Sequence, residues 1–233
     1  MEPIFEAVLK GEREVSRLLR GDPSLARARA SEDSLIDSIP HWLYAGDTSL
    51  HLAAAGLVSG VVRVLLRSGA DPNAQNRRSA TPLHYACDPR WESGGTWNPT
   101  VQASVIKMLV AEGAEVKRGD QGGATPLHRA VRARSVAAVS QLLDLGARTD
   151  TVLKKRRSSP LHLAALPTGA SGTGGAYREQ LEIIDLLLRH GADPAGPDAA
   201  GRTPVDWATN ETVAKALQGR PALVKGRRRS AIG

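Results

Sequence analysis

Four histidines are the first candidates for chemistry. His51, His84, His128 and His162 recur at intervals of 33, 44 and 34 residues. A recurring imidazole can ligate a metal, move a proton or hydrogen-bond the backbone. A shared zinc ion needs donors about 2.0–2.1 Å from one centre, whereas equivalent positions on successive packed helices stand about 8–10 Å apart. The expected role is therefore a backbone hydrogen bond in the same or an adjacent loop, and no metal or other cofactor is expected. Cys87 occupies the place taken elsewhere by Ala54, Val131 and Ala165. It reads as a small core residue, with no histidine or asparagine context to make it a nucleophile. The run from Thr168 to Gly175 has the glycines of a phosphate loop. It lacks the terminal Gly-Lys-Ser/Thr and follows a helix where such loops follow a strand, so it reads as a flexible connection. Paired carboxylates and nucleophile–base pairs do not recur at an informative spacing. The reading is non-catalytic.

The histidines belong to a repeated unit, clearest from Ala124 to Ala147. Thr125 can cap a short helix with its hydroxyl, and Pro126 fits the first helical position, where no N–H is needed. Leu127, Ala130 and Val131 form one apolar face; Val136, Val139, Leu142 and Leu143 form the face of a second helix, which Gly146 ends. A helix pair this small cannot bury both faces alone, so it needs neighbours of its own kind. They are present. Further openings occur at Thr48-Ser49-Leu50-His51, Thr81-Pro82-Leu83-His84, Ser159-Pro160-Leu161-His162 and Thr203-Pro204-Val205-Asp206. An end unit without that opening precedes them from Ile4, and the sixth fades at Gly219. Helices are predicted over 82–87, 101–112, 126–132, 136–145, 160–165 and 179–190.

A period of about 33 residues with Thr-Pro-Leu-His-x-Ala, two helices and a closing Gly-Ala-Asp resembles the ankyrin repeat family, over about Ile4 to Gly219. The resemblance implies an all-α ankyrin-repeat solenoid of about six helix-pair units, with short β-hairpin fingers, used for binding rather than catalysis. The units fall near 1–45, 46–78, 79–122, 123–156, 157–200 and 201–220. The departures are an extended first connection, Arg27 to Ala45, and two helix-turn insertions, Asp88–Thr100 and Pro167–Arg178.

Composition narrows the setting. Hydrophobic residues make up 41% and aromatics only 3%, so the core is Leu, Val and Ala, which suits close helix packing. A single cysteine excludes an intramolecular disulfide and fits a reducing compartment. The start Met1-Glu2-Pro3 has no basic-then-apolar run, and no apolar stretch nears the roughly 20 residues that span a bilayer. A cytoplasmic, soluble monomer is expected. Of the net charge of +7, all but one unit comes from Lys215, Arg220, Lys225, Arg227, Arg228 and Arg229, beyond the last acid, Glu211. The basic tail 221–233 lacks apolar periodicity and is expected to be disordered, so that its deletion leaves the melting temperature nearly unchanged.

Three features exceed what a stack needs. Trp42, Tyr44, Trp91, Trp97 and Tyr177, five of the eight aromatics, lie in the first connection or the insertions; they either cover the stack or face a ligand. The fingers carry Arg77, Arg78, Lys117, Arg118, Lys154, Lys155, Arg156 and Arg157. These form either solvated turns or a basic stripe for an acidic protein surface or a nucleic acid. Finally, Arg129 replaces the aliphatic Leu52 and Leu163 of other units, and Arg132 and Arg134 follow it. These arginines either snorkel beside an acid such as Asp88 or Glu92, or floor an anion-binding groove between the insertions, walled on one side by Trp91 and Trp97 and closed on the other by the backbone N–H groups of the glycine-rich loop, with Tyr177 also a candidate contact. The partner expected is another protein with an acidic or anionic surface, with nucleic acid or a small anion as alternatives. No membrane association is expected.

Overall fold

The computed structural model describes residues 3–36, 41–88, 98–167 and 176–219. The helices are α1 (Pro3–Lys10), α2 (Glu12–Gly21), α3 (Ser49–Ala55), α4 (Ser59–Arg67), α5 (Pro82–Ala86), α6 (Pro99–Ala111), α7 (Pro126–Arg132), α8 (Val136–Asp144), α9 (Pro160–Ala165), α10 (Tyr177–Arg189) and α11 (Glu211–Leu217). In the sixth unit a 3-10 turn, Val205–Trp207, takes the place of the first helix. Contacts run along two rows: α1, α3, α5, α7, α9 and the 3-10 turn pack in sequence, and α2, α4, α6, α8, α10 and α11 pack behind them.

The rows close over an aliphatic core. Leu50, Leu65, Leu83, Leu109, Leu127, Leu142, Leu161 and Leu187 are wholly buried, each contributing about 1.5–3 kcal/mol by leaving water. The second helices end alike. Gly69, Gly113, Gly146 and Gly191 lie at φ between 80° and 92°, and the alanine after each donates back to Leu65, Leu109, Leu142 and Leu187 at 2.9–3.0 Å. A left-handed residue is what this Schellman ending demands, and glycine supplies it without strain.

The histidines complete the first-helix caps. The N-cap amides of Thr48, Thr81, Thr125 and Ser159 donate to Nδ1 of His51, His84, His128 and His162 at 3.0–3.2 Å. With Nδ1 accepting, the proton sits on Nε2. This Nε2–H donates to the carbonyl of Ala80, Ala124 or Arg202 in the next finger for His51, His84 and His162. One ring thus caps its own helix and holds the following finger, as the spacing predicts.

Two expectations are refined. Both insertions do separate a first helix from a second, but α6 begins at Pro99, capped by Asn98, and α10 at Tyr177, so the ends of the expected insertions are helical. The fingers are hairpin-shaped turns, each closed by two backbone bonds: one runs from Asn76 to Ala80, Asp120 to Ala124, Leu153 to Ser158 or Asp198 to Arg202, and the other returns to the first of these residues from Ser79, Gly123, Arg157 or Gly201. Among the described residues, the strand pair is β1 (Ser34–Ile36) and β2 (His41–Leu43), antiparallel in the first connection with Leu35 opposite Trp42. The finger loops are too short for a ladder; the connection has room for one. The expected tail lies outside the described residues, and no described helix is long and apolar enough to cross a membrane.

Candidate functional site

The three arginines of the fourth unit do not make a basic floor. Arg129 lies on α7 with its side chain 15% exposed, donating to Asp120 at 3.0 Å and standing 3.7 Å from Asp88. Arg132 meets the same Asp88 carboxylate at 2.5 Å. Burial pushes the Asp120 carboxyl up, but the Arg129 hydrogen bond and charge with the Ala124 amide outweigh it, leaving the group below its ordinary range. The acid expected to neutralise the cluster, Asp88, does so, with Asp120 joining from the finger.

Arg134 departs further from expectation. α7 ends at Arg132, and Arg134 adopts φ 55°, so its side chain turns toward the next unit. The residue is 3% exposed and donates to the carbonyls of Ala164 and Leu166. It is a buried clamp that no partner surface can reach. Of the other groove candidates, Trp91, Trp97, Glu92 and the glycine run lie outside the described residues. Tyr177 opens α10 and donates to Asn210 at 2.9 Å, tying the fifth unit to the sixth while remaining partly exposed. Cys87 is fully buried, and burial, with the Asp88 charge, pushes its thiol far above the usual range; it is not set up as a nucleophile.

Two glutamines outside the repeat motif also join the units. Gln102 donates to Ala86 O and Gln180 to Ala164 O, both at 2.8 Å and both across 16 residues. Each closes the root of an insertion. Ser135 donates to Gln102 at 2.6 Å, while its neighbour Arg134 shares the Ala164 and Leu166 carbonyls with Gln180. The turn of the fourth unit thereby joins the two roots. The readable signal was a glutamine in the first turn of each helix after an insertion.

The fingers, by contrast, form one connected edge. Arg77 N donates to Ala45 O, Gln121 N to Arg78 O, Lys154 N to Gly122 O and Ala199 N to Arg156 O, at 2.8–3.2 Å. Asn76, Asp120 and Asp198 each accept two amides of their own finger and pin it. The finger that leads into the fifth unit, the fifth finger, has Leu153 at that place and one more residue. It closes through Arg157 N to Leu153 O, with Arg157 at φ 51°. Lys154, Lys155, Arg156 and Arg157 are all exposed at its tip, and among the described residues none has a carboxylate within 4 Å. Elsewhere on the expected stripe, Arg77 is paired with Asp33 and Arg118 with Glu115. Lys117 and Arg118 precede their finger's tip and do not belong to the row. Arg78 lies over the Tyr44 ring at 4.4 Å. Between Arg78 and the fifth tip lies an open groove of about 460 Å³, also lined by Asp120, Gln121, Gly122, Ala124 and Leu153.

The altered finger leaves a mark beneath it. His128 Nε2 and the buried Ser158 Oγ have no hydrogen-bond partner among the described residues. The Ser158 and Thr151 carbonyls only partly offset the effect of burial on the ring. The Ser158 carbonyl stands where the other histidines find their acceptor and acts on the ring, but in the longer finger it does not close the hydrogen bond to Nε2. Ser158→Ala should therefore hold stability constant or raise it by up to about 1 kcal/mol in urea unfolding, because an unsatisfied hydroxyl is removed. A loss of that size would show the hydroxyl to be bonded.

Residues 99–170 match the family model described as ankyrin repeats (3 copies), and residues 45–77 and 157–199 match the one described as ankyrin repeat. The chain is similar to ankyrin repeat and SOCS box protein 16 of Mus musculus, 31% identical over 161 residues that cover 69% of this chain and 25% of that protein. It is also similar to B-cell lymphoma 3 protein of Homo sapiens, 28% identical over 195 residues, 74% of this chain and 41% of that one. A shorter match, 38% identical over 79 residues, is to ARF GTPase-activating protein GIT1 of Homo sapiens, covering 34% of this chain and 9% of that protein. The chain thus spans a quarter to two fifths of the length of the first two relatives.

Proposed function

This chain belongs to the ankyrin repeat family, and from that premise we propose that it is a non-catalytic binding module whose finger edge holds an acidic surface of another protein. Ankyrin repeats generally mediate protein–protein interaction; the acidic partner and the finger edge are the reading added here. One observation carries it: four consecutive exposed cations, Lys154 to Arg157, stand on a closed turn without ion-pair partners among the described residues. Cations elsewhere on the fingers and the inner helices are largely spent on Asp33, Asp88, Glu115 and Asp120. An unpaired cluster of one sign steers an oppositely charged partner and disfavours others.

The test is charge reversal. Lys154→Glu, Lys155→Glu and Arg156→Glu together should weaken capture of the partner from a native lysate at least about tenfold. They should leave the melting temperature nearly unchanged, since exposed turn charges contribute little to stability. Reversal of Arg63 and Lys107, exposed on α4 and α6, should leave capture intact. Undiminished capture by the triple variant would overturn the reading.

A further inference from the structure

We infer that the occupant of this edge is an extended segment of the partner protein, carrying an apolar anchor and two acidic positions spaced to the fingers. This rests on the function proposed above and adds to it a shape and a register.

The finger row acts as a ruler. Backbone bonds link Ala45 to Arg77, Arg78 to Gln121, Gly122 to Lys154 and Arg156 to Ala199, so the tips cannot slide independently. Each finger step crosses one inter-finger bond and one turn, two chain spacings of about 4.8 Å, or about 10 Å. An extended peptide advances about 3.3 Å per residue. One finger therefore corresponds to about three residues of occupant.

Charge is not spread evenly along this ruler. Arg78 stands on one tip and Lys154–Arg157 two tips further on, with Gln121 and Gly122, which bear no charge, between them. Asp33 beside the first tip is held by Arg77. Asp120 in the groove is held by Arg129 and by the amides of Gly122 and Ala124. The groove that joins the two cationic positions is open rather than a closed pocket, which suits a passing chain better than a small ligand.

The β1–β2 hairpin supplies the third element. Its base is docked on the Arg77–Arg78 finger: Asp33 pairs with Arg77, and Tyr44 lies beneath both guanidinium groups, 5.3 and 4.4 Å from their carbons. Leu43 faces the core, so the alternation of the strand puts Trp42 on the opposite face. Leu35, directly across the ladder, shares that face. Leu35 is 55% and Trp42 44% exposed, two of the four large apolar side chains exposed among the described residues. An apolar pair placed beside a cationic row fits a segment that has an apolar residue, an acid about three residues on, and an acidic cluster about six residues beyond that. An adjacent acidic protein face without an anchor would make no use of the exposed surface of this pair, and among the described residues the guanidinium–ring pairs lie at Arg77, Arg78 and Arg202 rather than on the fifth tip.

The experiment uses the intact chain and labelled synthetic peptides in fluorescence anisotropy. The first peptide carries one leucine, one glutamate and three glutamates at the spacing above, with serine elsewhere; a second is its reversed sequence, since either chain direction satisfies the geometry. Controls have the leucine replaced by serine, or three serines inserted between the glutamates. A single-stranded oligothymidine of equal charge is the nucleic-acid arm. One of the two registered peptides should bind at least tenfold tighter than both controls, and Trp42→Ser should remove the advantage of leucine only. Binding that follows charge alone, indifferent to spacing and leucine, would overturn the register while leaving the acidic-partner reading intact. Tighter, strongly salt-dependent binding of the oligothymidine would overturn both. Absence of peptide binding, with lysate capture still dependent on Lys154 to Arg156, would overturn the extended segment alone.

Discussion

Stability should collapse between about pH 6 and pH 4. Burial lowers the imidazole pKa of His51 to about 4, of His84 to about 3 and of His128 to about 4. The charges of Arg29 and Arg129 near His51, and of Arg129 near His84, act in the same direction. The rings accept at Nδ1 and are buried, so the native state holds them neutral, while the unfolded chain protonates each near 6.5. A depressed native pKa means that the unfolded state binds the extra protons. Stability is complete above pH 6.5 and is lost as pH falls toward the native values. Three rings give a slope of up to roughly 4 kcal/mol per pH unit in the middle of that window, against a total of about 5–15 kcal/mol for a typical domain. The lowered carboxylates, such as Asp120, act in the same sense but from about pH 4 downward. Urea unfolding at pH 7, 5.5 and 4.5 measures the slope, and His51→Gln, which keeps an acceptor at the third helical position, should flatten it by about one proton. Stability that is level from pH 7 to pH 5 would show that the rings are not held neutral.

The parts legible in the sequence were those written by local rules. Pro-Leu-His after a Thr or Ser fixes each helix start, and a glycine fixes each end, so the helices at 82–86, 126–132 and 160–165 lie where the pattern puts them. The histidine role was readable because geometry excludes a shared metal and leaves the backbone. The site was less legible because its residues are sorted by contacts between units. Arg129, Arg132 and Arg134 look alike in the sequence, yet only the first two meet Asp88, and one backbone angle sends the third into the next unit. Leu57, also six residues after its histidine, shares the positive φ and packs against the core, so this position turns inward whatever side chain it carries. Likewise, Lys117-Arg118 and Lys154–Arg157 both read as finger charges, but counting back from Pro126 and Pro160 separates a finger root from a finger tip. Leu153, standing where Asn76, Asp120 and Asp198 pin their fingers, already marks the fifth as different.

Replacing Arg134 should cost stability rather than binding. Its guanidinium donates to Ala164 O and Leu166 O from a buried position, and burial lowers its pKa to about 10, a sign that the charge itself is penalised there. Arg134→Ala removes two charge-assisted hydrogen bonds, worth about 1.5–3 kcal/mol each before that penalty is recovered. The two carbonyls are not orphaned, since Gln180 still donates to both. A net loss of about 2–3 kcal/mol follows, or roughly 5–10 °C in melting temperature for a chain of this size. Backbone conformation adds a second handle. At φ 55° an alanine is strained by about 1 kcal/mol and a glycine is not. Stability should therefore fall in the order Arg, Gly, Ala, the reverse of the Gly–Ala order inside a helix. Combining Arg134→Ala with Gln180→Ala should cost more than the sum of the single losses, because the Ala164 and Leu166 carbonyls then lose both of these donors. Capture of the partner by the folded Arg134→Gly variant should match the parent chain. A variant that melts like the parent but no longer captures the partner would place Arg134 back on the binding surface.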